Sequence, residues 1–231
     1  MGSIEAKLQQ VRSRIARACD SAGRSAQSVT LLAVTKTFGA TQLRAALAAG
    51  QQDFGENYVQ EALGKMDELA PQRRHLRWHM IGPLQSNKTR VVAEHFDWVH
   101  SVDRLKIAAR LAEQRPAGLP PLQLCLQVNI SGEASKSGLQ PHEVADVAKA
   151  VAGLPPQRVT LRGLMAIPEP GADFEAQRAP HRALAELMAQ LNVEGLQLDT
   201  LSMGMSADLE AAVAEGATIV RVGTAIFGSR G

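Results

Sequence analysis

The chain has 231 residues, 45% hydrophobic and 21% charged, enough to bury a core without disulfide or metal staples and ordinary for one α/β barrel. Its 25 basic and 23 acidic side chains leave a net charge of +2, and aromatics make up only 3%, with a single tyrosine, Tyr58. That balance gives no strong pull toward nucleic acid or an anionic membrane, and so few rings make no base-stacking surface.

Cys19 and Cys125 are the only cysteines, and neither sits in a C-x-x-C motif. The sequence therefore offers no disulfide framework, redox pair or zinc site, and two free thiols fit a reducing cytosol. Residues Met1 to Ile15 lack an apolar signal-peptide region, and Met-Gly-Ser-Ile-Glu-Ala lacks the hydroxyl residue of a myristoylation signal. No stretch approaches a membrane span. A cytoplasmic protein with no membrane partner is the expectation.

Ile4, Leu8, Val11 and Ile15 recur at helical spacing, so an amphipathic helix opens the chain. Strand-like apolar runs then appear at Val29–Val34, Gln52–Phe54, Trp78–Ile81, Trp98–Val99, Leu122–Ile130, Val159–Ile167, Leu198–Met203 and Thr218–Val222. Helical patterns separate them. Thr41–Ala49 is stopped by Gly50, and Val59–Leu69 by Pro71. Ser86–His95 and Asp103–Gln114 follow, then Pro141–Ala152, which begins with a proline suited to a first turn and ends at Gly153. Phe174–Asn192 is the longest, and Ser206–Glu215 has Ser206 as its cap with Asp208 and Glu210 near its amino end.

Eight β/α units in this length are the arithmetic of a TIM (β/α)8 barrel, here with an extra N-terminal helix. The competitor is a doubly wound open sheet. It would carry a Gly-rich dinucleotide turn after the first strand, and Thr35-Lys36-Thr37-Phe38-Gly39 is not one. No linker or shift in composition divides residues 1–231, so a single domain is expected.

In a barrel, function collects at the carboxyl ends of the strands. There the first strand ends in Lys36, the second runs into Gly55-Glu56-Asn57, and the third runs through His79 into Gly82. The fifth ends in Asn129, the sixth contains Met165, the seventh ends in Ser202-Met203-Gly204, and the eighth in Arg221-Val222-Gly223-Thr224. A lysine closing so apolar a strand either snorkels to solvent or serves as a desolvated amine able to form a Schiff base. Loops after strands seven and eight of a barrel often bind phosphate. Ser202 and Thr224 can donate hydroxyl hydrogen bonds, and Gly223 lets backbone amides approach an anion. Gly204 alone reads as a tight turn. An aldehyde joined to a phosphate satisfies both ends of this rim, and pyridoxal 5′-phosphate is the economical candidate. Arg221 is then the partner of the pyridine nitrogen, a structural cap or a phosphate clamp.

Ala-Val-Thr-Lys-Thr (33–37), Phe-Gly-Glu-Asn-Tyr-Val-Gln-Glu (54–61), Trp-His-Met-Ile-Gly-Pro-Leu-Gln-Ser-Asn-Lys (78–88), Ser-Lys-Ser-Gly (135–138), Leu-Arg-Gly-Leu-Met-Ala-Ile-Pro (161–168), Leu-Ser-Met-Gly-Met-Ser (201–206) and Arg-Val-Gly-Thr-Ala-Ile-Phe-Gly (221–228) run through nearly the whole chain. In these the chain resembles the pyridoxal phosphate homeostasis protein family, itself similar to the barrel domain of alanine racemase and of eukaryotic-type ornithine decarboxylases. The resemblance implies that Lys36 carries the cofactor as an internal aldimine. It implies that Ser202, Gly223 and Thr224 hold the phosphate, that Arg221 faces the pyridine nitrogen, and that Asn57 and Met165 line the ring. The family often has a second lysine two residues after the Schiff-base lysine, where this chain has Phe38.

A racemase needs a second base on the far face of the substrate carbon. In alanine racemase that base is a tyrosine brought by a further domain of the partner subunit, and only Tyr58 could stand in for it here. The leading expectation is a non-catalytic carrier that holds pyridoxal phosphate for vitamin B6 homeostasis, with apo cofactor-dependent enzymes as recipients. A small amino-acid racemase is the first alternative and a Schiff-base aldolase barrel the second. No exposed apolar patch can be located in the sequence, so a monomer is expected. The six histidines have no metal-ligand spacing, and Arg73-Arg74-His75-Leu76-Arg77 reads as a solvated loop.

Overall fold

A computed structural model describes residues 2–132 and 137–228. Eight parallel strands close into a barrel in sequence order. They are β1 (Thr30–Val34), β2 (Asp53–Glu56), β3 (Arg77–Met80), β4 (Trp98–Val102), β5 (Leu122–Gln127), β6 (Val159–Met165), β7 (Thr200–Ser202) and β8 (Ile219–Val222). β8 returns to pair with β1, with Ala33 opposite Val222. The barrel and the extra N-terminal helix match the expectation from the sequence.

The leading helix α1 (Ile4–Ser21) is capped by the Ser3 side chain, which accepts from the Ala6 amide at 3.1 Å. It buries Leu8, Val11, Ile15, Ala18 and Cys19, one face of the helix. The following Arg24 donates to the carbonyls of Val213 and Ala217, both at 2.7 Å, and ties the end of α1 to the segment before β8. The outer ring continues with α2 (Ala40–Ala48), α3 (Val59–Glu68), α4 (Thr89–His95), α5 (Leu105–Gln114), α6 (Val144–Ala152), α7 (Phe174–Val193) and α8 (Leu209–Ala214). A four-residue turn of helix, α9 (Thr224–Phe227), follows β8.

Three sequence expectations need correction. The fourth strand does not stop at Val99 but continues through His100 and Ser101, which are buried and hydrogen-bonded rather than solvated. Ser206 caps no helix: α8 starts at Leu209, and the residue before it, Asp208, turns its carboxylate back to accept from the Met205 amide at 2.7 Å. The 73–77 run is not merely solvated. Arg73 pairs with Asp97, Arg77 pairs with Asp53, and Leu76 is buried.

Alternation along the strands divides the core. Leu31 and Ala33 belong to the layer between sheet and helices, whereas Leu32 and Val34 cluster with Ile81 and Ile219, with Trp98 packed against them. A barrel interior is usually filled by branched apolar side chains. Here those residues share it with a buried polar set: Asp53, His79, His100, Ser202 and Arg221. Both cysteines are free and buried, and burial pushes the Cys125 thiol up to about 12.

Candidate functional site

Lys36 follows β1 by two residues, half-buried, and makes no hydrogen bond or ion pair among the described residues. The lysine that is buried with partners is another one, Lys65 on α3. Its Nζ donates to the Thr35 carbonyl at 2.7 Å, to Glu56 Oε1 at 2.7 Å and to Glu61 Oε1 at 2.6 Å. Burial pushes the Glu56 carboxyl up, against the pull of Lys65 and of the hydrogen bond from Thr35. Glu61 also accepts from the amide of Thr37. Thr37 has a φ of 70°, a left-handed conformation rare for a β-branched residue. Lys36 thus sits between two residues that are each held in place, one through its carbonyl and one through its amide.

The loop after β8 lies against the end of β1. A Cβ on Gly223 would stand 3.1 Å from the Val34 carbonyl oxygen and 3.3 Å from Val34 Cβ, so a larger residue would force the two strand ends apart. The amides of Gly223 and Thr224 and the Thr224 hydroxyl have no partner among the described residues. On the adjacent strand end, the Gly204 carbonyl accepts from the Arg221 amide at 2.9 Å. Gly204 has a φ of +90°, and a Cβ there would approach Ala212 Cβ to 2.4 Å. Its glycine therefore answers to the turn and to packing on α8. Beyond it, the amide and hydroxyl of Ser206 have no partner among the described residues. Sequence reading spent Ser206 on a cap; its place one turn past β7 was the signal for a rim residue.

Ser202 is fully buried, and its hydroxyl is shared between Arg221 Nη1 at 2.8 Å and His100 Nδ1 at 2.7 Å. Arg221 also donates through Nη2 to the Ala166 carbonyl at 2.8 Å. Burial lowers its pKa to about 10, so the guanidinium stays protonated at neutral pH. His79, read as a rim residue, lies inside the barrel between Asp53 and His100. Met165 is fully buried in β6, level with Ser202. Asn57 follows β2, and its buried Oδ1 has no hydrogen-bond partner among the described residues. Asn57, Ile81, Pro83, Gln127, Val128 and Ile167 line a cavity at this rim. Phe38 rests its ring on Phe227 of α9, with centroids 5.1 Å apart. The Ser-Lys segment of the 135–138 motif lies outside the described residues. No cluster of metal-ligating side chains occurs among the described residues.

The chain matches the alanine racemase N-terminal domain family over residues 7–231. It is 62% identical to a pyridoxal phosphate homeostasis protein of Pseudomonas aeruginosa, covering 100% of this chain and 97% of that protein. The solved structure of PipY from Synechococcus elongatus with PLP bound superimposes with a TM-score of 0.84 at 39% identity, covering 98% of this chain and 100% of that one. Alanine racemase of Clostridium difficile shares the fold, with a TM-score of 0.74 at 12% identity over 99% of this chain and 57% of that one.

Proposed function

The chain belongs to the pyridoxal phosphate homeostasis protein family, and we propose that it binds pyridoxal 5′-phosphate through a Schiff base with Lys36 and holds it for release without turning over a substrate. The observation that carries this reading is the contact between Gly223 and Val34. The aldehyde and the phosphate-bearing arm of the cofactor occupy adjacent ring positions, so amine and anion cradle must be neighbours. It supports the reading because the loop, whose Gly223 and Thr224 amides have no partner among the described residues, approaches the chain two residues before Lys36, itself without a partner there.

In this reading Gly223, Thr224 and Ser206 supply phosphate donors. Arg221 faces the pyridine nitrogen and Asn57 offers its oxygen to the ring substituents, while Met165, expected to line the ring, is fully buried and stands behind the site. Bound there, the cofactor supplies an electrophilic carbon and a ring that can accept electron density. Arg221, protonated at neutral pH, would donate to the ring nitrogen rather than protonate it, which would keep the ring a weak electron sink. Ser202, expected to donate to the phosphate, fits a different role, argued below. The partners on this reading are the cofactor and the apo enzymes that receive it, and the protein acts as a cytoplasmic monomer.

The test is an ultraviolet–visible spectrum of the purified protein before and after borohydride reduction, followed by peptide mapping. A chromophore near the visible edge should appear, and reduction should fix it to Lys36. An adduct confined to Lys88, Lys106 or Lys136 would place the site elsewhere. Bound colour that survives intact in Lys36→Ala would do the same.

A further inference from the structure

A continuous hydrogen-bonded chain crosses the barrel interior. Arg77, half-exposed, grips Asp53 with Nε and Nη2, each at 2.6 Å. Asp53 Oδ1 meets His79 Nε2 at 3.0 Å, His79 Nδ1 meets His100 Nε2 at 2.9 Å, and His100 Nδ1 meets Ser202 Oγ at 2.7 Å. Ser202 Oγ then accepts from Arg221. We propose that this chain is a polarised positioning device: Asp53, His79 and His100 draw the Ser202 hydroxyl proton toward His100, so that Ser202 acts as the fixed acceptor for Arg221 and has no proton to give a phosphate. The proposal rests on the cofactor reading above for its purpose, though not for its geometry.

The direction follows from proton counting. Burial opposes ionisation of Asp53, but the bonds from Arg77 and His79 outweigh it and hold the carboxyl down to about 2, so Asp53 only accepts. His79 must then donate from Nε2. If its ring is neutral, Nδ1 accepts and His100 Nε2 donates. If the His100 ring is neutral, its Nδ1 accepts and Ser202 donates. Every contact receives one proton and both rings carry their hydrogen on Nε2.

The alternative is a protonated His79, which reverses the two following bonds and leaves the Ser202 proton free. Charge balance argues against it. The anion of Asp53 is already matched by the Arg77 fork. The other neighbours of His79 are the stacked Trp98 ring, with the Arg162 guanidinium over it, and His100; none is a second anion. Burial above all, and then the guanidinium charge of Arg221, hold the His100 ring well below the ordinary imidazole range. Around Arg221, Asp208 contributes negative field. Asp208 bonds His181, and the Cys125 thiol is protonated at neutral pH. An added cation on His79 would have to share Asp53 with Arg77, with no second anion against it among the described residues.

Fixing Arg221 at both terminal nitrogens sets the plane of its guanidinium, since Nη1 is held by Ser202 and Nη2 by the Ala166 carbonyl. Ser202 is thus a positioning residue for Arg221, and His100, His79 and Asp53 are positioning residues one, two and three steps behind it.

Two measurements decide this. In the unloaded wild-type protein labelled with nitrogen-15 histidine, long-range proton–nitrogen spectra at neutral pH should show two buried neutral rings, both with Nε2–H. A His100 ring carrying Nδ1–H, or an imidazolium at His79, overturns the proposal. In binding titrations, Ser202→Ala should weaken pyridoxal 5′-phosphate and unphosphorylated pyridoxal by the same factor, and should shift the absorption maximum of the bound chromophore. A loss confined to the phosphorylated ligand overturns the proposal and leaves the cofactor reading standing. If wild type forms no adduct with either ligand, the cofactor reading falls, and the histidine spectra alone still decide the polarity of the chain. They decide it equally if Ser202→Ala does not fold.

Discussion

Lys65 Nζ stands 2.7 Å from the carbonyl oxygen of Thr35, the residue immediately before Lys36. A buried amine therefore grips the main chain that presents the half-buried one. Because Lys65 also holds Glu61, and Glu61 accepts from the Thr37 amide, the same ammonium steadies both sides of Lys36. The left-handed Thr37 is the kind of conformation that persists only where surrounding contacts over-determine it.

Lys65→Met should therefore be costly. The side chains of Lys65 and Glu56 are 6% and 0% exposed, so removing the amine strands a buried carboxylate. Breaking one half of such a pair costs roughly 3–5 kcal/mol. Urea unfolding should show that loss, and Glu56→Gln added to Lys65→Met should recover a large part of it. A loss below about 1 kcal/mol, the range of a surface pair, would mean that the pair is solvated in practice.

Asp53 predicts an acid limb of stability. Its folded pKa of about 2 lies below the ordinary value of 3.8. The stabilisation it brings, about 2 kcal/mol, is complete above the unfolded value, erodes below pH ~4 and is gone once pH falls through about 2. His100 acts in the same direction at higher pH. It stays neutral when folded, so the unfolded chain takes up the proton first and stability falls as pH drops below the ordinary histidine range. Unfolding free energies of wild type and Asp53→Asn should converge by about 2 kcal/mol between pH 5 and pH 2. Parallel curves over that range would remove Asp53 from the acid limb.

Most of the barrel was legible because its strands are apolar runs bounded by Gly and Pro, and those are the signals that burial and turn geometry write most plainly. What escaped was polar and buried. His100 and Ser101 made β4 look two residues long, since nothing local reveals that Ser202 waits for one across the barrel and the Gly82 carbonyl for the other just past the neighbouring β3. Lys65 did leave a trace. It stands four residues after Glu61 and on the stripe of Val59, Ala62 and Met66, an interior position for a charged residue. Ser202 was placed correctly at the strand end, but the side to which its hydroxyl points depends on Arg221 of the next strand and on His100, 102 positions away in sequence.

The phosphate cradle has its own signature. Thr224→Ala and Ser206→Ala should each remove one hydrogen bond to a charged acceptor, worth roughly 1.5–3 kcal/mol. Affinity for pyridoxal 5′-phosphate should fall by that amount while affinity for unphosphorylated pyridoxal barely moves. Fluorescence or calorimetric titration of both ligands reads the difference. Equal losses for the two ligands would take these residues out of the cradle.

The last expectation concerns catalysis. Exchange of the α-hydrogen of an amino acid needs a base on the substrate carbon, a ring that disperses negative charge, and exclusion of water. Lys36 offers an amine. Arg221, still protonated with its pKa near 10, opposes protonation of the ring nitrogen and so weakens the ring's pull. Tyr58, the sole tyrosine, is 59% exposed at the amino end of α3, and Lys88, which lines the same cleft, makes no hydrogen bond to it among the described residues. Loaded protein incubated with L- or D-alanine in heavy water should therefore shift its absorbance without incorporating deuterium at Cα at a useful rate. Rapid incorporation that disappears in Lys36→Ala would make the protein an enzyme and sink the carrier reading. If Tyr58→Phe abolished that exchange as well, Tyr58 would be the second base, working from an exposed position at the barrel mouth.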